Sequence, residues 1–461
     1  MSTARSKKVS RRTLLKGTAA IAAAAVLPRR LLGGVAYAAP SNTLNLAGVG
    51  IGGVAHGFLK QCAEKMNIRA LCDVDDVYAA RSFDLWPDAK RFRDYREMFD
   101  TMADEIDAVL VGTPDHTHAI VTMEALRRGK HTTCVKPLTR TIHECRTVLA
   151  TARKAGVATQ VTASPNTNEE ACRTCELVWE GAIGDVREVH VWSNRPLWPQ
   201  GMTRPEGSDP IPDTFDWDLW LGPVQERPFK NQWPDDSYPL AQIQSRKGEI
   251  APDRKGVYHP WNFRGWWDFG TGALGDMGCH RFNTMYRVLK LTYPTAISAS
   301  ATQVPSETYP LGAIVTFDYP KREGMPPVRV VWYDGVLLPP RPRGFGAAPL
   351  PSEGELYIGD KGVMYRDRIL DDALAAKYKN LPKTLERRAG TFPEWFEAIA
   401  GGPPAGCNFD WAGLTTEAVL LGDIAVKTRR PLEWDAEAAR FVKDDEANAL
   451  LNPPYRDGWT L

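Results

Sequence analysis

The sequence has no excess of charge of either sign. Its 57 Lys and Arg residues are almost balanced by 56 Asp and Glu residues, which leaves a net charge of +1. A chain that binds nucleic acid or an anionic membrane surface by electrostatic attraction usually has a strongly positive net charge. We therefore expect neither partner. With 43% hydrophobic and 25% charged residues, the composition is globular rather than disordered.

The N-terminal apolar run is too short to span a bilayer. It covers residues 17–27, eleven residues, and follows the pair Arg11-Arg12. Ala36-Tyr37-Ala38 then offers a small-x-small cleavage site. This order predicts a twin-arginine signal over residues 1–38, with no stable membrane insertion. We expect the protein to be exported folded by the twin-arginine machinery, and to be periplasmic or secreted.

Residues at metal-ligating spacing are scarce. Of the eight cysteines, only Cys172 and Cys175 form a C-x-x-C pair, and no second pair completes a zinc site. His116 and His118 have H-x-H spacing, but no other ligand cluster lies near them in sequence. We predict no metal site and scattered buried thiols. A chain that folds before export also has no need of structural disulfides.

A glycine-rich turn follows an apolar strand signal at residues 44–47. Its spacing fits G-x-G-x-x-G, in which the backbone approaches a pyrophosphate and a helix N-terminus faces its charge. A helical pattern follows directly, as this motif requires. We predict that a dinucleotide binds at Gly48, Gly50, Ile51, Gly52 and Gly53.

An acidic residue, Asp73, ends the next apolar strand signal at residues 68–71. A carboxylate in this position can bind the adenosine ribose hydroxyls and repel a 2′-phosphate, which favours NAD over NADP. A turn or helix cap is the alternative role for Asp73. Asp75 is close enough to be the ribose partner instead.

Strand and helix signals alternate from residue 42 to residue 163. Short links between them predict a Rossmann domain with a doubly wound parallel sheet, so the fold class is α/β. Ligands of such sheets lie beyond the carboxyl ends of the strands. Two loops there supply further cofactor candidates: Thr113, Pro114, His118 and Lys136. We expect Asp115 to cap the helix that follows.

Beyond residue 163 strand signals dominate. We predict an α+β domain over residues 164–440 with a mainly antiparallel open sheet, and a C-terminal tail over residues 441–461. The stretch 196–263 is rich in Pro, Trp, Asp and Gly, and so long an irregular insert is typical of a functional loop or lid. For residues 338–354 we expect either another lid or a mobile surface loop. Eight of the 15 tryptophans lie between residues 192 and 267, where they either fill a core or stack on a carbohydrate.

Asp276 and His280 form the most informative pair of the second half. They are four residues apart, so on a helix both side chains share one face. A carboxylate beside an imidazole can fix its tautomer and stabilise its protonated form.

Together these markers resemble the Gfo/Idh/MocA oxidoreductases, over essentially all of the chain after the signal. The resemblance rests on the glycine turn, Asp73, residues 113–118, Lys136-Pro137 and residues 272–280. It implies a nicotinamide-dependent enzyme that forms homo-oligomers, with Lys136, Asp276 and His280 as its catalytic residues.

Two departures from the family pattern stand out. Val135 replaces the glutamate that usually precedes the lysine and is credited with a ribose contact. Ser164-Pro165-Asn166 stands where a related exported branch often has an Asn-Gln pair, so substrate recognition could differ. Residues 198–201 and 217–223 further resemble that branch.

The expected reaction is hydride transfer between a sugar hydroxyl and NAD. We expect His280, ahead of Lys136, to take the hydroxyl proton, Asp276 to orient His280, and Lys136 to stabilise the developing alkoxide. The substrate candidates flank these residues in sequence: Asn194, Arg195, Trp198, His259, Trp261, Asn262 and Arg264.

Two other functions fit the sequence. One is a glycosidase that uses NAD in a cycle of oxidation, elimination, hydration and reduction. The other is a cofactor-bound binding or sensor protein without turnover, which the intact Lys, Asp and His set argues against. Because an exported enzyme has no large pool of free nucleotide, we expect a tightly held cofactor in each case.

Overall fold

The computed structural model describes residues 43–461. The predicted signal over residues 1–38 lies outside the described residues. Two β-sheets organise the described part of the chain.

The first sheet has six parallel strands. They are β1 Asn45–Val49, β2 Asn67–Cys72, β3 Lys90–Phe92, β4 Ala108–Val111, β5 His131–Cys134 and β6 Thr159–Val161. Their order across the sheet is β3-β2-β1-β4-β5-β6. The chain therefore reverses its direction of travel between β1 and β4, which is where a doubly wound sheet opens a ligand cleft.

Five helices connect these strands. They are α1 Gly53–Ala63, α2 Asp76–Leu85, α3 Tyr95–Met102, α4 Asp115–Arg127 and α5 Ile142–Ala155. The bounds of α5 follow from its sequence, because Thr141 and Glu144 form a capping box and Gly156 ends the helix at a φ of 61°.

Both faces of the first sheet are covered. Leu46 and Leu110 pack with α1 and α2, whereas their strand neighbours Ala47 and Val109 pack with α3, α4 and α5. Because side chains alternate between the two faces of a strand, a strand that is apolar throughout contributes side chains to the hydrophobic cores on both faces of the sheet. The predicted Rossmann architecture is confirmed.

The second sheet has nine strands. They are β7 Val186–Trp192, β8 Ala296–Ala301, β9 Ala313–Tyr319, β10 Val328–Tyr333, β11 Gly354–Gly359, β12 Val363–Tyr365, β13 Arg368–Ile369, β14 Leu432–Asp435 and β15 Arg440–Phe441. Their order is β13-β12-β11-β7-β10-β9-β8-β14-β15. The pair β7–β10 is parallel and the other pairs are antiparallel, as the fold prediction required.

Eight α-helices accompany the second sheet. They are α6 Glu169–Trp179, α7 Trp217–Leu221, α8 Tyr238–Lys247, α9 Cys279–Leu289, α10 Asp372–Lys377, α11 Thr391–Ile399, α12 Phe409–Thr428 and α13 Asp445–Ala449. A π-helical turn, Leu274–Gly278, precedes α9. Short 3₁₀ turns lie at Ala103–Glu105, Pro252–Arg254 and Asn262–Gly265.

Helix α12 lies between the two sheets. A helix that is apolar all round is typically buried, and most side chains of α12 are. Gly413 packs on Leu149 of α5, and Gly422 packs on Phe317 of β9. Arg146 of α5 adds a two-pronged ion pair with Glu417, at 2.7 and 2.9 Å. One helix thus links the cofactor sheet to the second sheet.

The predicted insert is more ordered than its composition suggested. It contains α7 and α8, and a hydrophobic cluster of its own is built around Trp217, Trp220, Trp233 and Trp266. Most of the tryptophan-rich stretch therefore fills a core. Trp220 and Trp261 also line the main cleft.

The eight cysteines are all buried and free. Among residues 43–461, no group of three or more His, Cys, Asp or Glu side chains is arranged to hold a metal ion. In the same part of the chain, no helix combines the length and apolarity needed to cross a membrane.

Candidate active site

The glycine turn lies at the carboxyl end of β1. Gly50 has a φ of +73°, and a Cβ there would lie 2.4 Å from the main-chain nitrogen of Thr113, so the position requires glycine. Among the described residues, no side chain caps the N-terminus of α1, and its first turn has no acidic residue. These features suit a bound diphosphate, whose charge the free N–H groups of a helix N-terminus attract.

Asp73 is tied to this turn. Its Oδ2 accepts hydrogen bonds from the N–H groups of Ile51 (2.8 Å) and Gly52 (3.2 Å), and its Oδ1 accepts one from Asp75 (3.1 Å). Burial raises the pKa of Asp73, although these hydrogen bonds oppose the shift. Asp75 itself caps α2 through the N–H groups of Val77 and Tyr78. Asp73 therefore stands at the predicted ribose position and also stabilises the turn.

The loops after β4 and β5 are joined by His118, which is fully buried. Its Nδ1 lies 2.7 Å from the carbonyl oxygen of Pro137, and its Nε2 lies 2.7 Å from that of Thr113. Both ring nitrogens are therefore engaged by the protein. His118 positions the two predicted cofactor loops relative to each other.

The residues next to His118 have structural roles. His116 Nε2 lies 2.8 Å from the carbonyl oxygen of Trp220, which fixes α4 against the insert. The expectation that Asp115 caps α4 was wrong, because Pro114 occupies the cap position. The carboxylate of Asp115 instead accepts a 2.7 Å hydrogen bond from Thr271, in the glycine-rich segment that leads to Asp276.

Lys136 follows β5 and reaches across to the second half of the chain. Its Nζ donates a hydrogen bond to Oδ1 of Asp276, and the two side chains are only 13% and 11% exposed. Arg264 donates from Nε to the same oxygen at 3.2 Å. Although burial opposes ionisation of Asp276, the charges of Lys136 and Arg264 hold its pKa well below the usual range. Asp276 is therefore an ionised anchor between the two halves.

His280 is held by Ser164 and not by Asp276. Asp276 lies in the π-helical turn, so the two residues are not on successive turns of one α-helix as the sequence predicted. The main-chain N–H of Ser164 donates to Nδ1 of His280 at 2.9 Å, and Oγ of Ser164 lies 3.1 Å away. Burial, followed by the charge of Lys136, lowers the pKa of His280 to about 3. The ring is therefore neutral and carries its proton on Nε2.

Only some of the substrate candidates lie near this group. Nη1 of Arg195 contacts both Oδ1 of Asn194 and Glu353, the latter at 3.1 Å. Nε of Arg195 is 4.0 Å from Asp276. Together with Arg264, Arg195 is thus brought to the predicted catalytic residues.

The remaining candidates serve the insert. Trp198 is 1% exposed and meets Trp261 edge to face at 5.8 Å. Asn262 is also buried and donates to the carbonyl oxygens of Arg254 and Gly256. His259 accepts from the indole of Trp220 and contacts Asp75, both at 2.9 Å. His259 therefore fastens the insert to the loop after β2, away from Lys136.

The main cleft has a volume of about 860 Å³ and runs along the carboxyl ends of the first sheet. Its lining includes Lys136 and Arg264 as well as Asp73 and the glycine turn. Tyr95 and Trp459 also line the cleft, and both pack with the cluster beneath α3 and α4.

Trp459 belongs to a segment that sequence reasoning left without a role. The last part of the predicted C-terminal tail, residues 451–461, is here called the tail segment. Arg456, which is 9% exposed, holds this segment in place. Its guanidinium donates to the carbonyl oxygens of Gly222 (2.6 Å) and Asp218 (2.7 Å) in the insert. Ser164, Glu353 and Arg281 were also missed as site residues. Of these, Ser164 had a signal, because it lies three residues beyond the carboxyl end of β6.

Comparisons with known proteins agree with this fold. Residues 44–163 match an oxidoreductase family described as an NAD-binding Rossmann fold, and residues 358–461 match the C-terminal alpha/beta domain of an oxidoreductase family, both under the Gfo/Idh/MocA name. Residues 8–28 match the twin-arginine translocation signal sequence.

Similar proteins extend this picture. A Bacillus subtilis protein named "Uncharacterized oxidoreductase YfiI" is 33% identical over 153 residues, 30% of this chain and 39% of that protein. An alpha-N-acetylgalactosaminidase of Shewanella oneidensis is 26% identical over 148 residues, 30% of this chain and 32% of that protein. The chain thus matches about a third of the length of these relatives.

The fold is shared with a solved structure, the WlbA dehydrogenase from Bordetella pertussis in complex with NADH and UDP-GlcNAcA. The match has a TM-score of 0.55 at 12% identity and covers 85% of this chain and 99% of that one. At such low identity the likeness concerns the fold. With both domain matches and the glycine turn in place, the chain belongs to the Gfo/Idh/MocA family of nicotinamide-dependent oxidoreductases.

Proposed function

We propose that the protein transfers a hydride between a tightly bound NAD and a hydroxyl or carbonyl group of a sugar or sugar derivative. The observation that carries the proposal is the contact between Lys136 and Asp276. It brings a lysine at the end of a Rossmann strand to an ionised carboxylate of the second half, beside the neutral imidazole of His280. The three side chains offer a reacting oxygen a proton donor, a fixed anion and an N–H group.

The cofactor residues fit NAD better than NADP. The glycine turn leaves room for a diphosphate at the N-terminus of α1, and Asp73 places a carboxylate where NADP would carry a 2′-phosphate. A bound nicotinamide would accept or donate the hydride. Val135 cannot supply the ribose contact of the usual glutamate.

The insert and the tail segment support tight binding. Arg456 holds the tail segment against α7, and Trp459 then lines the part of the cleft near Tyr95 and α4. We take this to be the adenosine end of the cleft, because Tyr95 begins the helix that follows β3, the strand next to the one that Asp73 follows. We assign Trp459 a contact with the adenine ring, which a flat indole can cover.

The proton of the reaction is assigned to Lys136. Oxidation of a carbinol removes a hydride, which goes to the oxidised nicotinamide, and a proton, which the protein must take. Nδ1 of His280 accepts from Ser164, and Nε2 already holds the proton of the neutral ring, so the imidazole has no free lone pair. Nζ of Lys136, which is 13% exposed, releases one of its protons to solvent and takes the carbinol proton in its place, so that the lysine ends the step charged as it began. Nε2–H of His280 donates to a substrate oxygen. This reverses the order expected from the sequence.

A second candidate is glycoside cleavage with NAD used transiently. This function is favoured because residues of the insert and Trp459 of the tail segment line the cleft, which would help to retain the cofactor. An enzyme that restores its own cofactor in each cycle does not need to release it. The match to an alpha-N-acetylgalactosaminidase points the same way. A binding protein without turnover would have no use for the Lys136 and Asp276 pair.

The cellular location and the oligomeric state are further parts of the proposal. The signal match over residues 8–28 indicates export, and we propose that the folded chain reaches the periplasm or the exterior with its cofactor already loaded. A carbohydrate substrate and a homo-oligomer remain predictions.

The purified full-length protein, with its native cofactor retained, distinguishes the two functions. It is incubated with free sugars, sugar acids and aryl glycosides while absorbance at 340 nm and aglycone release are followed. Accumulation of NADH without bond cleavage supports the first function, and aglycone release without net NADH supports the second. If neither occurs with any compound, both catalytic proposals fail.

A further inference from the structure

Four cations surround the predicted reaction centre. Lys136, Arg264 and Arg195 lie around Asp276, at distances up to 4.0 Å. Arg195 continues to Glu353 at 3.1 Å, and Arg281 contacts the other oxygen of Glu353 at 2.8 Å. We call Lys136, Arg195, Arg264 and Arg281 the cationic cluster. Their side chains are 13% to 25% exposed, so all four remain partly open to solvent.

The carboxylates within this group do not balance its cations. Asp276 and Glu353 supply two negative charges against four positive ones. Two further carboxyl groups lie at the edge of the group: Glu355 is 3.9 Å from Arg281, and Asp115 interacts with the charges of Arg264 and Lys136. Burial raises the pKa of both carboxyl groups, although these cations oppose the shift. His280 adds no negative charge. The excess of positive charge therefore lies directly beside the imidazole and Lys136.

Independent observations agree with this imbalance. After burial as the largest cause, the charges of Lys136, Arg281 and Arg195 lower the pKa of His280, and the charge of Asp276 opposes them. Nε of Arg281 is buried and has no hydrogen-bond partner among the described residues. Partly desolvated guanidinium groups without full pairing are costly, and an anion that reaches them offsets that cost.

We propose that the substrate carries a carboxylate close to the carbinol that reacts, and that Arg195 and Arg281 bind this carboxylate. The proposal rests on the proposed function and narrows its substrate to sugar acids, such as uronates or aldonates. In this arrangement Lys136 and His280 bind the reacting oxygen. Arg195 contacts Glu353, which also holds Arg281. A planar guanidinium matches the two oxygens of a carboxylate, which a neutral sugar cannot provide.

Glu353 has a defined part in this arrangement. It comes from the loop of residues 338–354 and holds Arg195 and Arg281 at the same time. The loop that was predicted to be a lid thus delivers a carboxylate to the cationic cluster. Glu353 sets the spacing of the two arginines and competes with a substrate carboxylate for them.

The test compares matched substrates with the full-length holoenzyme. NADH formation is measured with D-glucose, D-glucuronate, D-gluconate and D-glucose 6-phosphate, and binding of each is followed by tryptophan fluorescence. We expect kcat/KM for an acid to exceed that for glucose by at least 30-fold, which corresponds to one well-placed charge pair. Turnover or binding that favours glucose or the phosphate, or no binding of either acid, overturns the proposal.

Three variants complete the test. Arg195→Gln and Arg281→Gln should each raise KM for the acid by roughly 30-fold or more, and by a larger factor than KM for glucose. Glu353→Gln removes the competing carboxylate and should lower KM for the acid. Arg329→Gln, in an exposed ion pair on β10, is the matched control and should change neither.

The variants also distinguish failure of the carboxylate proposal from failure of the proposed hydride transfer. If glucose reduces NAD well and Arg195→Gln has no selective effect, the hydride-transfer function stands and the carboxylate proposal falls. Equal losses for acid and neutral sugar in both arginine variants would show a structural role only, which also overturns the proposal.

Discussion

The main-chain N–H of Ser164 donates a 2.9 Å hydrogen bond to Nδ1 of His280, across 116 positions of sequence. The imidazole is thereby fixed as an N–H donor at Nε2. Glutamine can place an amide N–H near that position, whereas alanine cannot. We expect His280→Gln to lose about 10-fold in kcat/KM and His280→Ala at least 100-fold.

The measurement is steady-state kinetics of both variants between pH 5 and 8. Because the pKa of His280 is lowered to about 3, its ionisation should add no inflection in this range for the unaltered enzyme. Equal activities of the Gln and Ala variants would contradict the donor role. Ser164→Ala keeps the main-chain N–H and serves as the control.

Asp276→Asn should be damaging to both stability and turnover. It leaves Lys136 and Arg264 without their shared anion in a site where Asp276 is 11% exposed. Loss of one partner of a buried pair costs about 3–5 kcal/mol in the free energy of unfolding. Denaturant titration measures this loss, with the exposed Glu437→Gln as control. An unchanged free energy of unfolding would show that the contact is not a stabilising pair.

Acid should destabilise the protein through its buried histidines. Burial lowers the pKa of His116 to about 3, and that of His280 is similar, whereas an unfolded histidine titrates near 6.5. Between these values the unfolded state binds more protons than the folded state, so stability falls as pH falls from about 6.5 towards 3. Each histidine contributes up to about 1.4 kcal/mol per pH unit.

His116→Gln isolates this effect. The free energy of unfolding is measured at pH 7 and pH 5 for the variant and the unaltered protein, and His143→Gln, at an exposed position, serves as control. The His116 variant should lose less stability on acidification, although it starts from a lower value. The same loss in both proteins would exclude His116 as a source of acid sensitivity.

Trp459→Ala should weaken binding of NADH more than binding of reduced nicotinamide mononucleotide, which lacks adenosine. Stacking of a base on an aromatic side chain is worth roughly 1–3 kcal/mol, so the Kd for NADH should rise about 10-fold. Fluorescence titration of apoprotein measures both ligands. Trp459→Phe should retain most of the affinity, and Thr460→Ala is the control on the same segment.

Equal losses for the two ligands would contradict a specific adenine contact. They would show instead that the tail segment supports the cleft as a whole. An unchanged affinity for NADH would remove Trp459 from the cofactor site.

The sequence predicts the cofactor half well, because its signals are local. Apolar strands, glycine spacing and the capping box of α5 each act within a few residues, and Gly50 is required by its own φ. The positions of Lys136 and Asp73 then follow from the rule that ligands lie beyond the strand ends.

The second half is harder, because its decisive contacts join distant residues. The bond from Ser164 to His280 depends on how α9 lies over the end of β6, which no local pattern encodes. The π-helical turn also lacks a spacing signature. It depends on Gly275, where a Cβ would lie 2.2 Å from the side chain of Thr271. The long buried helix α12 carries no motif at all.

The buried thiols have a practical consequence for handling the protein. Burial raises the pKa of Cys62, Cys145, Cys279 and Cys407, which disfavours the reactive thiolate. All eight side chains are sheltered from oxidants, and the covalent structure of residues 43–461 does not change between a reducing and an oxidising compartment. We therefore expect the part of the protein over residues 43–461 to be purified without reductant with no change in its cysteines.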